Sequence, residues 1–216
     1  MMKNDYKYWF FDLDGTLADT DADIRESWRA ALAELGLVCP TFDRDFVAGP
    51  PIEVMAERLF PGRFTPELGV ELRAAFGRHY DQSGFPRTRE YPGVLAAVKA
   101  LKASGARVFI VTNKRYAGAK LIAAKFGWGE VFDALYAGDM YADDPAIGKL
   151  KKDALLARVL REHAIDASDA VMVGDTVNDF EAAAANGIAS IGVAWGYGKA
   201  DELAKAGRVI NEPDQI

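Results

Sequence analysis

A short apolar strand that ends on two closely spaced acids limits the fold of this chain more than any other feature. Residues 9–11 are all aromatic, a run typical of a buried strand, and Asp12 and Asp14 follow it directly, before Gly15. Two like charges this close repel each other unless a cation or hydrogen-bond donors compensate them. The acidic pair is therefore either a solvated turn or a functional site.

Short β-type runs alternate with helical stretches along the rest of the chain, the pattern of a parallel sheet covered by helices. We predict strands at residues 8–11, 108–111, 170–173 and 188–193, and helices at 94–102, 117–126, 153–162 and 180–186. The sequence thus predicts an α/β fold with a Rossmann-like parallel-sheet core.

The spacing of the first two strands predicts an inserted domain. About 100 residues separate Asp12 from the end of the second strand, whereas a strand–helix–strand unit needs only about 30. Helical patterns without a convincing strand fill the surplus, at residues 24–35, 52–60 and 66–80. We therefore predict a discontinuous α/β catalytic core, residues 1–17 and 89–216, and an all-helical cap, residues 18–88.

Polar residues of chemically useful types follow three of the predicted strands. Asp12 follows the first, Thr112 and Asn113 follow the second, and Asp175 comes shortly after the third. Because the carboxyl ends of parallel strands lie along one edge of the sheet, where ligands bind, these residues should meet there. A lone pair of acids is more often a turn, but this combination favours a site.

Composition excludes several classes of protein. The 26 Lys and Arg against 32 Asp and Glu give a net charge of -6, which argues against nucleic acid as a partner. Cys39 is the single cysteine, so an internal disulfide is excluded, and the N-terminus lacks the apolar stretch of a signal peptide or membrane span. We expect a cytoplasmic protein, monomer or homodimer, with no membrane partner.

The order of the motifs resembles that of the haloacid dehalogenase superfamily of phosphatases and phosphotransferases. The resemblance rests on residues 12–16, on Thr112 and Asn113, on a lysine near residue 150, and on residues 174–179. The helical insertion is similar to the cap of the phosphoglycolate phosphatase-like branch. The resemblance implies a Mg²⁺-dependent phosphoric monoester hydrolase whose substrate is a small phosphorylated metabolite, such as phosphoglycolate, a nucleotide or a sugar phosphate.

The chemistry of phosphoryl transfer gives each motif residue an expected role. The reaction needs a nucleophile, a cation, donors to the phosphate oxygens and a proton for the leaving group. Asp12 would be the nucleophile and form an aspartyl-phosphate, while Asp14 would act as general acid and then as general base. Thr112, Asn113 and Lys152 would bind the substrate phosphate.

Hard oxygen ligands at the acidic motifs would suit Mg²⁺. Asp12, Asp175 and the backbone carbonyl of Asp14 are the expected ligands. Asp179 lies one helical turn beyond Asp175, and we expect it to contact waters of the metal rather than the metal itself.

The third-motif lysine has more than one candidate, since Lys149, Lys151 and Lys152 lie close together. Lys152 is favoured because it directly precedes the amphipathic run that starts at residue 153, whereas Lys149 is the reserve. Residues 192–199 bring glycines near another lysine, but their spacing does not fit a P-loop, and we interpret them as a glycine-rich loop without a further role.

Other functions remain open from the sequence. A phosphotransferase or sugar-phosphate mutase of the same superfamily would use the same residues. A signalling receiver also places acids around Mg²⁺, but it would have no use for an inserted helical domain that a lid over a substrate explains. A non-catalytic binding protein that kept the fold is the last alternative.

Overall fold

The computed structural model describes residues 6–216 and divides the chain into two compact units. One unit, the α/β unit, comprises residues 6–19 together with Arg89–Ile216. The other, the helical unit, comprises Thr20–Thr88. Among the described residues, no helix combines the length and the apolar composition needed to cross a bilayer.

A six-stranded sheet forms the centre of the α/β unit, and neighbouring strands are parallel throughout. In spatial order the strands are β5 (Ala134–Ala137), β4 (Arg107–Thr112), β1 (Tyr8–Phe11), β6 (Ala170–Gly174), β7 (Ala189–Val193) and β8 (Arg208–Ile210). The central strands β4, β1 and β6 are continuous apolar runs because both of their faces are covered. The predicted parallel α/β fold is confirmed.

Helices follow the strands and bury their apolar faces against the sheet. They are α5 (Val94–Ala103), α6 (Tyr116–Lys125), α7 (Lys152–Glu162), α8 (Val177–Ala185) and the short α9 (Ala200–Leu203). Leu155, Leu156 and Val159 of α7 join Phe10 and Phe109 of the sheet in one buried cluster. Burying each such side chain contributes about 1.5–3 kcal/mol, so the packing fixes where α7 begins relative to the strand ends.

A two-stranded antiparallel ribbon lies where the chain passes between the two units. Its strands are β2 (Ala18–Asp19) and β3 (Arg89–Glu90), with Ala18 opposite Glu90. The expectation that residues 18–88 hold no strand is wrong at residues 18 and 19, which form β2. The start of the inserted domain at residue 18 stays a prediction. A two-residue strand carries no periodic apolar pattern, so it could not be predicted from the sequence.

The helical unit contains α1 (Asp21–Glu34), α2 (Phe42–Asp45), α3 (Ile52–Leu59) and α4 (Pro66–Gln82), with no strand among its described residues. Trp28 and Leu32 of α1 and Leu72 of α4 are buried in it. The start of α4 follows the usual rules: Thr65 Oγ1 accepts the Leu68 N–H at 3.2 Å, and Pro66 occupies the first turn. Its role as a cap stays a prediction.

Candidate active site

The ends of β1 and β6 bring two predicted site residues together. Phe11 lies opposite Val173 in these adjacent strands, and the Asp12 N–H donates to the Val173 carbonyl oxygen at 2.9 Å. Asp12 and Asp175 therefore leave the sheet at nearly the same level. Together with Asp179 they form a buried group of carboxylates, each offering an oxygen within 4.8 Å of the others. We call these three side chains the acidic cluster.

Lys152 is the first residue of α7 and places its ammonium group in the acidic cluster. Nζ lies 2.9 Å from Asp12 Oδ1 and 2.5 Å from Asp179 Oδ1, and the side chain is only 4% exposed. Burial opposes its positive charge, but Asp12 and Asp179 outweigh burial and hold the pKa of Lys152 above its ordinary value. Lys149, the reserve candidate, is exposed in the preceding loop. The geometry thus favours Lys152 over Lys149 for contact with Asp12.

Asp179 uses both carboxylate oxygens within the protein. Oδ1 accepts from Lys152, and Oδ2 accepts from the Thr176 N–H at 3.1 Å and the Thr176 hydroxyl at 3.0 Å. The residue lies in the first turn of α8, where a carboxylate is favoured by the unpaired N–H groups of the helix. These contacts fit a residue that holds Lys152 in place better than a direct metal ligand.

Asp175 is held from two sides and is fully buried. Oδ1 accepts from the Thr16 hydroxyl at 3.3 Å, and Oδ2 accepts from the Tyr197 N–H at 2.7 Å. Burial, followed by the charges of Asp12 and Asp179, raises the pKa of Asp175 to about 8. Burial also raises the pKa of Asp12 to about 6, although Lys152 acts in the opposite direction.

The loop that contains Tyr197 has a role that the sequence interpretation missed. The Trp195 indole N–H donates to the Thr16 carbonyl at 3.1 Å, and the Tyr197 hydroxyl donates to Asp19 at 3.0 Å. A β-carbon at Gly198 would overlap the carbonyl oxygen of Asp175, so only glycine permits this approach. Residues 192–199 are therefore more than a glycine-rich loop, because they orient Asp175.

Asp14 does not belong to the acidic cluster, and its carboxylate contacts a second lysine. Lys114 Nζ lies 2.8 Å and 3.2 Å from the two Asp14 oxygens. The backbone N–H of Lys114 also donates to Thr112 Oγ1 at 3.1 Å; Thr112 is buried, while Asn113 is exposed. Lys114 was missed in the sequence, although its position directly after Thr112 and Asn113 was an available signal.

The acidic cluster fits a divalent cation. Within residues 6–216 its three carboxylates contact one lysine ammonium, so the group keeps a net negative charge when ionised. Asp12 Oδ1 is buried and accepts no well-aligned hydrogen bond from the described residues, so its pairing with Lys152 is one of charge. Hard carboxylate oxygens with this excess charge are the donor set that a small divalent cation requires.

Comparisons with known proteins find similar phosphatases. The sequence profile of the haloacid dehalogenase-like hydrolases matches residues 9–193. A phosphoglycolate phosphatase from Agrobacterium fabrum is 34% identical over 192 residues, which cover 87% of this chain and 80% of that protein. A 5'-nucleotidase from Pseudomonas aeruginosa is 29% identical, with 92% and 87% covered. The crystal structure of a predicted phosphatase from Clostridium acetobutylicum superimposes with a TM-score of 0.85 at 25% identity, covering 97% of this chain and 95% of that one.

The fold, the acidic cluster and these matches define the class: the chain belongs to the haloacid dehalogenase-like hydrolases. Within that family it is a phosphoric monoester hydrolase of the phosphoglycolate phosphatase-like branch. The resemblance expected from the motifs is confirmed.

Proposed function

We propose that the protein hydrolyses a small phosphomonoester through an aspartyl-phosphate on Asp12, with Mg²⁺ as its cation. The observation that carries the proposal is the Asp12 carboxylate, which lies at a strand end beside the buried Lys152 ammonium and two further carboxylates. Such a group binds an anionic phosphate only when cations are present to offset its own charge.

In the first step, an Asp12 carboxylate oxygen attacks phosphorus and the bond from phosphorus to the ester oxygen breaks. Asp14 gives its proton to the leaving alkoxide and becomes a carboxylate. Lys152 and the Thr112 hydroxyl donate to the non-bridging phosphate oxygens, where they stabilise the charge of the transition state. Because Thr112 Oγ1 already accepts from Lys114, its own proton is left to be donated.

In the second step, water attacks the aspartyl-phosphate. Asp14, now a carboxylate, takes the proton of the attacking water, and the bond between phosphorus and the Asp12 oxygen breaks. Inorganic phosphate leaves, Asp12 is again a carboxylate and Asp14 is again protonated. One pair of acids thus completes the cycle without a further reactant.

Asp12, Asp175 and the backbone carbonyl of Asp14 would hold the Mg²⁺, while Asp179 would keep Lys152 in position. When bound, the cation would offset the negative charges of the nucleophile and the phosphate. Mg²⁺ is proposed over other divalent ions because all of the candidate ligands are hard oxygens.

The relatives narrow the substrates that deserve testing. The names of two relatives point to phosphoglycolate and to nucleoside 5'-monophosphates. A screen of these compounds and of sugar phosphates, compared by kcat/KM with Mg²⁺ present, would identify the preferred one.

The central experiment combines metal removal with two substitutions. Turnover of a simple aryl phosphate should stop in EDTA and return with Mg²⁺. Asp12→Asn should abolish activity, and Asp14→Asn should slow hydrolysis of an alkyl phosphate by about 10²-fold or more. Asp153→Asn, at an exposed position on α7, is the matched control and should be fully active. Equal rates with and without EDTA would exclude the metal role, and an active Asp12→Asn would exclude the nucleophile.

A further inference from the structure

Lys114 is a largely buried cation that the family resemblance did not single out. Its side chain is 7% exposed, and its ammonium contacts both oxygens of Asp14, whose side chain is 14% exposed. The acidic cluster includes neither residue. The α/β unit therefore places a second lysine against the second acid of the site, separate from the pair formed by Lys152 and Asp12.

We propose that Lys114 is a positioning residue that fixes the carboxyl group of Asp14 for proton transfer. The proposal rests on the proposed function, since it assigns Lys114 a task only if Asp14 is the acid and base of the reaction. Lys114 does not itself gain or lose a proton in either step.

The supporting geometry has two parts. Asp14 lies in the tight turn after β1, where the N–H groups of Thr16 and Leu17 donate to the Leu13 carbonyl, and Lys114 lies just after β4. Because both backbones are anchored at strand ends, a contact to both Asp14 oxygens limits rotation of that carboxylate. Proton transfer depends strongly on such orientation.

The backbone of Lys114 adds a second constraint. Its N–H donates to Thr112 Oγ1, which directs the hydroxyl proton elsewhere. A side-chain substitution at 114 keeps this N–H, so it tests the ammonium group alone. That separation makes the proposal testable without disturbing Thr112.

The competing role for Lys114 is direct binding of the substrate phosphate. A lysine that binds phosphate would lower kcat/KM for every phosphomonoester, whether or not Asp14 is present. A lysine that acts through Asp14 would matter only when Asp14 is there to be positioned, and mainly for leaving groups that need a proton. The two roles therefore predict different results in a double-mutant cycle.

The experiment measures kcat/KM for an alkyl and an aryl phosphate in Lys114→Met, in Asp14→Asn and in the double variant. We expect Lys114→Met to lose about tenfold or more on the alkyl phosphate and less than about threefold on the aryl phosphate, whose leaving group needs little protonation. In the Asp14→Asn background, Lys114→Met should cost nothing further. Lys120→Met, exposed on α6, is the control and should match the unsubstituted protein.

Three results would overturn the proposal. These are equal losses on both substrates, additive losses in the double variant, or full activity of Lys114→Met. Lys114→Arg, which keeps the charge, should recover part of the alkyl phosphate activity, and circular dichroism checks folding. Should Lys114→Met be unfolded, Lys114→Gln carries the same comparison. An unsubstituted protein inactive on every phosphomonoester would contradict the proposed function itself, whereas an active one with additive losses contradicts only the role of Lys114.

Discussion

The helical unit and the α/β unit both bury carboxylates, but they compensate them differently. Asp23 of α1 is 3% exposed, and it accepts the N–H groups of Arg87 and Thr88 and the hydroxyl of Thr88. The acidic cluster of the α/β unit instead relies on Lys152 and a few neutral donors. A carboxylate that is fully hydrogen-bonded stabilises its own fold. Clustered carboxylates with too little positive charge can bind a cation, at a cost in stability.

The largest expected effect is on activity, at the lysine of the acidic cluster. Lys152→Met should lower kcat/KM by about 10³-fold, because it removes the fixed ammonium group from Asp12, the proposed nucleophile, and from the substrate phosphate. Lys149→Met, in the exposed loop, should stay close to the activity of the unsubstituted protein. Steady-state kinetics on the two folded variants decides between them. If Lys149→Met lost most of its activity and Lys152→Met kept it, Lys149 would be the lysine of the third motif.

In the helical unit the effect should fall on stability. Asp23→Ala leaves two backbone N–H groups and the Thr88 hydroxyl without their acceptor, and we expect a loss of about 2–4 kcal/mol in the free energy of unfolding. Asp43→Ala breaks an exposed ion pair with Arg29 and should cost less than about 1 kcal/mol. Urea denaturation of both variants measures the difference. Equal losses in the free energy of unfolding would show that the hydrogen bonds of Asp23 contribute no more to stability than the exposed ion pair of Asp43.

Stability of the metal-free protein should depend on pH through the acidic cluster. The folded pKa values of about 8 for Asp175 and about 6 for Asp12 lie above the ordinary value of 3.8. A carboxyl group with a raised folded pKa stabilises the fold fully below its unfolded pKa, and that contribution is lost as pH rises through the folded pKa. The free energy of unfolding of the metal-free protein should therefore fall as the pH rises from about 4 to about 8.

Mg²⁺ should offset this loss, so it should raise Tm more near about pH 8 than near about pH 5. Thermal melts with Mg²⁺ or EDTA at the two pH values test this, and Asp175→Asn should remove most of the difference. If Mg²⁺ raised Tm by the same amount at both pH values, metal binding would not depend on the raised pKa values.

The smallest expected effect concerns the long hydrogen bond from Thr16 to Asp175. Thr16→Val should weaken Mg²⁺ binding by about two- to tenfold, since a single hydrogen bond contributes about 0.5–1.5 kcal/mol. Thr65→Val removes the N-cap of α4 and should lower stability without changing Mg²⁺ affinity. Isothermal titration calorimetry separates the two, and an unchanged Kd for Thr16→Val would show that Tyr197 alone orients Asp175.

Long apolar runs made most of the fold predictable. The aromatic run of β1 and the Val-rich run of β4 read as buried strands and lie in the centre of the sheet. The edge strands β5 and β8 were missed, because four residues rich in alanine and a three-residue strand carry little β pattern. The helix α8 begins at Val177, earlier than predicted, because its first turn is polar. Tertiary contacts, which local sequence patterns do not contain, determine where these strands and this helix form.

The part of the site that could be predicted consists of acidic residues that closely follow predicted strands. Strand-end topology predicted that Asp12 and Asp175 lie together, and the family resemblance added Lys152; the structure brings all three together. Lys114 and Tyr197 were missed, and for Lys114 only its position after Thr112 and Asn113 was a signal. Lys114 contacts Asp14 through a side chain whose direction the sequence does not reveal, and Tyr197 contacts Asp175 through its backbone N–H, for which residue type carries no signal.

The short ribbon of β2 and β3 has a consequence for how such a protein can evolve. Because Ala18 lies opposite Glu90 and Asp19 opposite Arg89, the chain leaves and re-enters the α/β unit at adjacent points. A different insert, longer or shorter, could join the same two points without altering the order of the sheet, since lengthening a loop costs little free energy. Selection can therefore exchange the whole segment Thr20–Thr88 as a module while the carboxylates of the acidic cluster keep their positions.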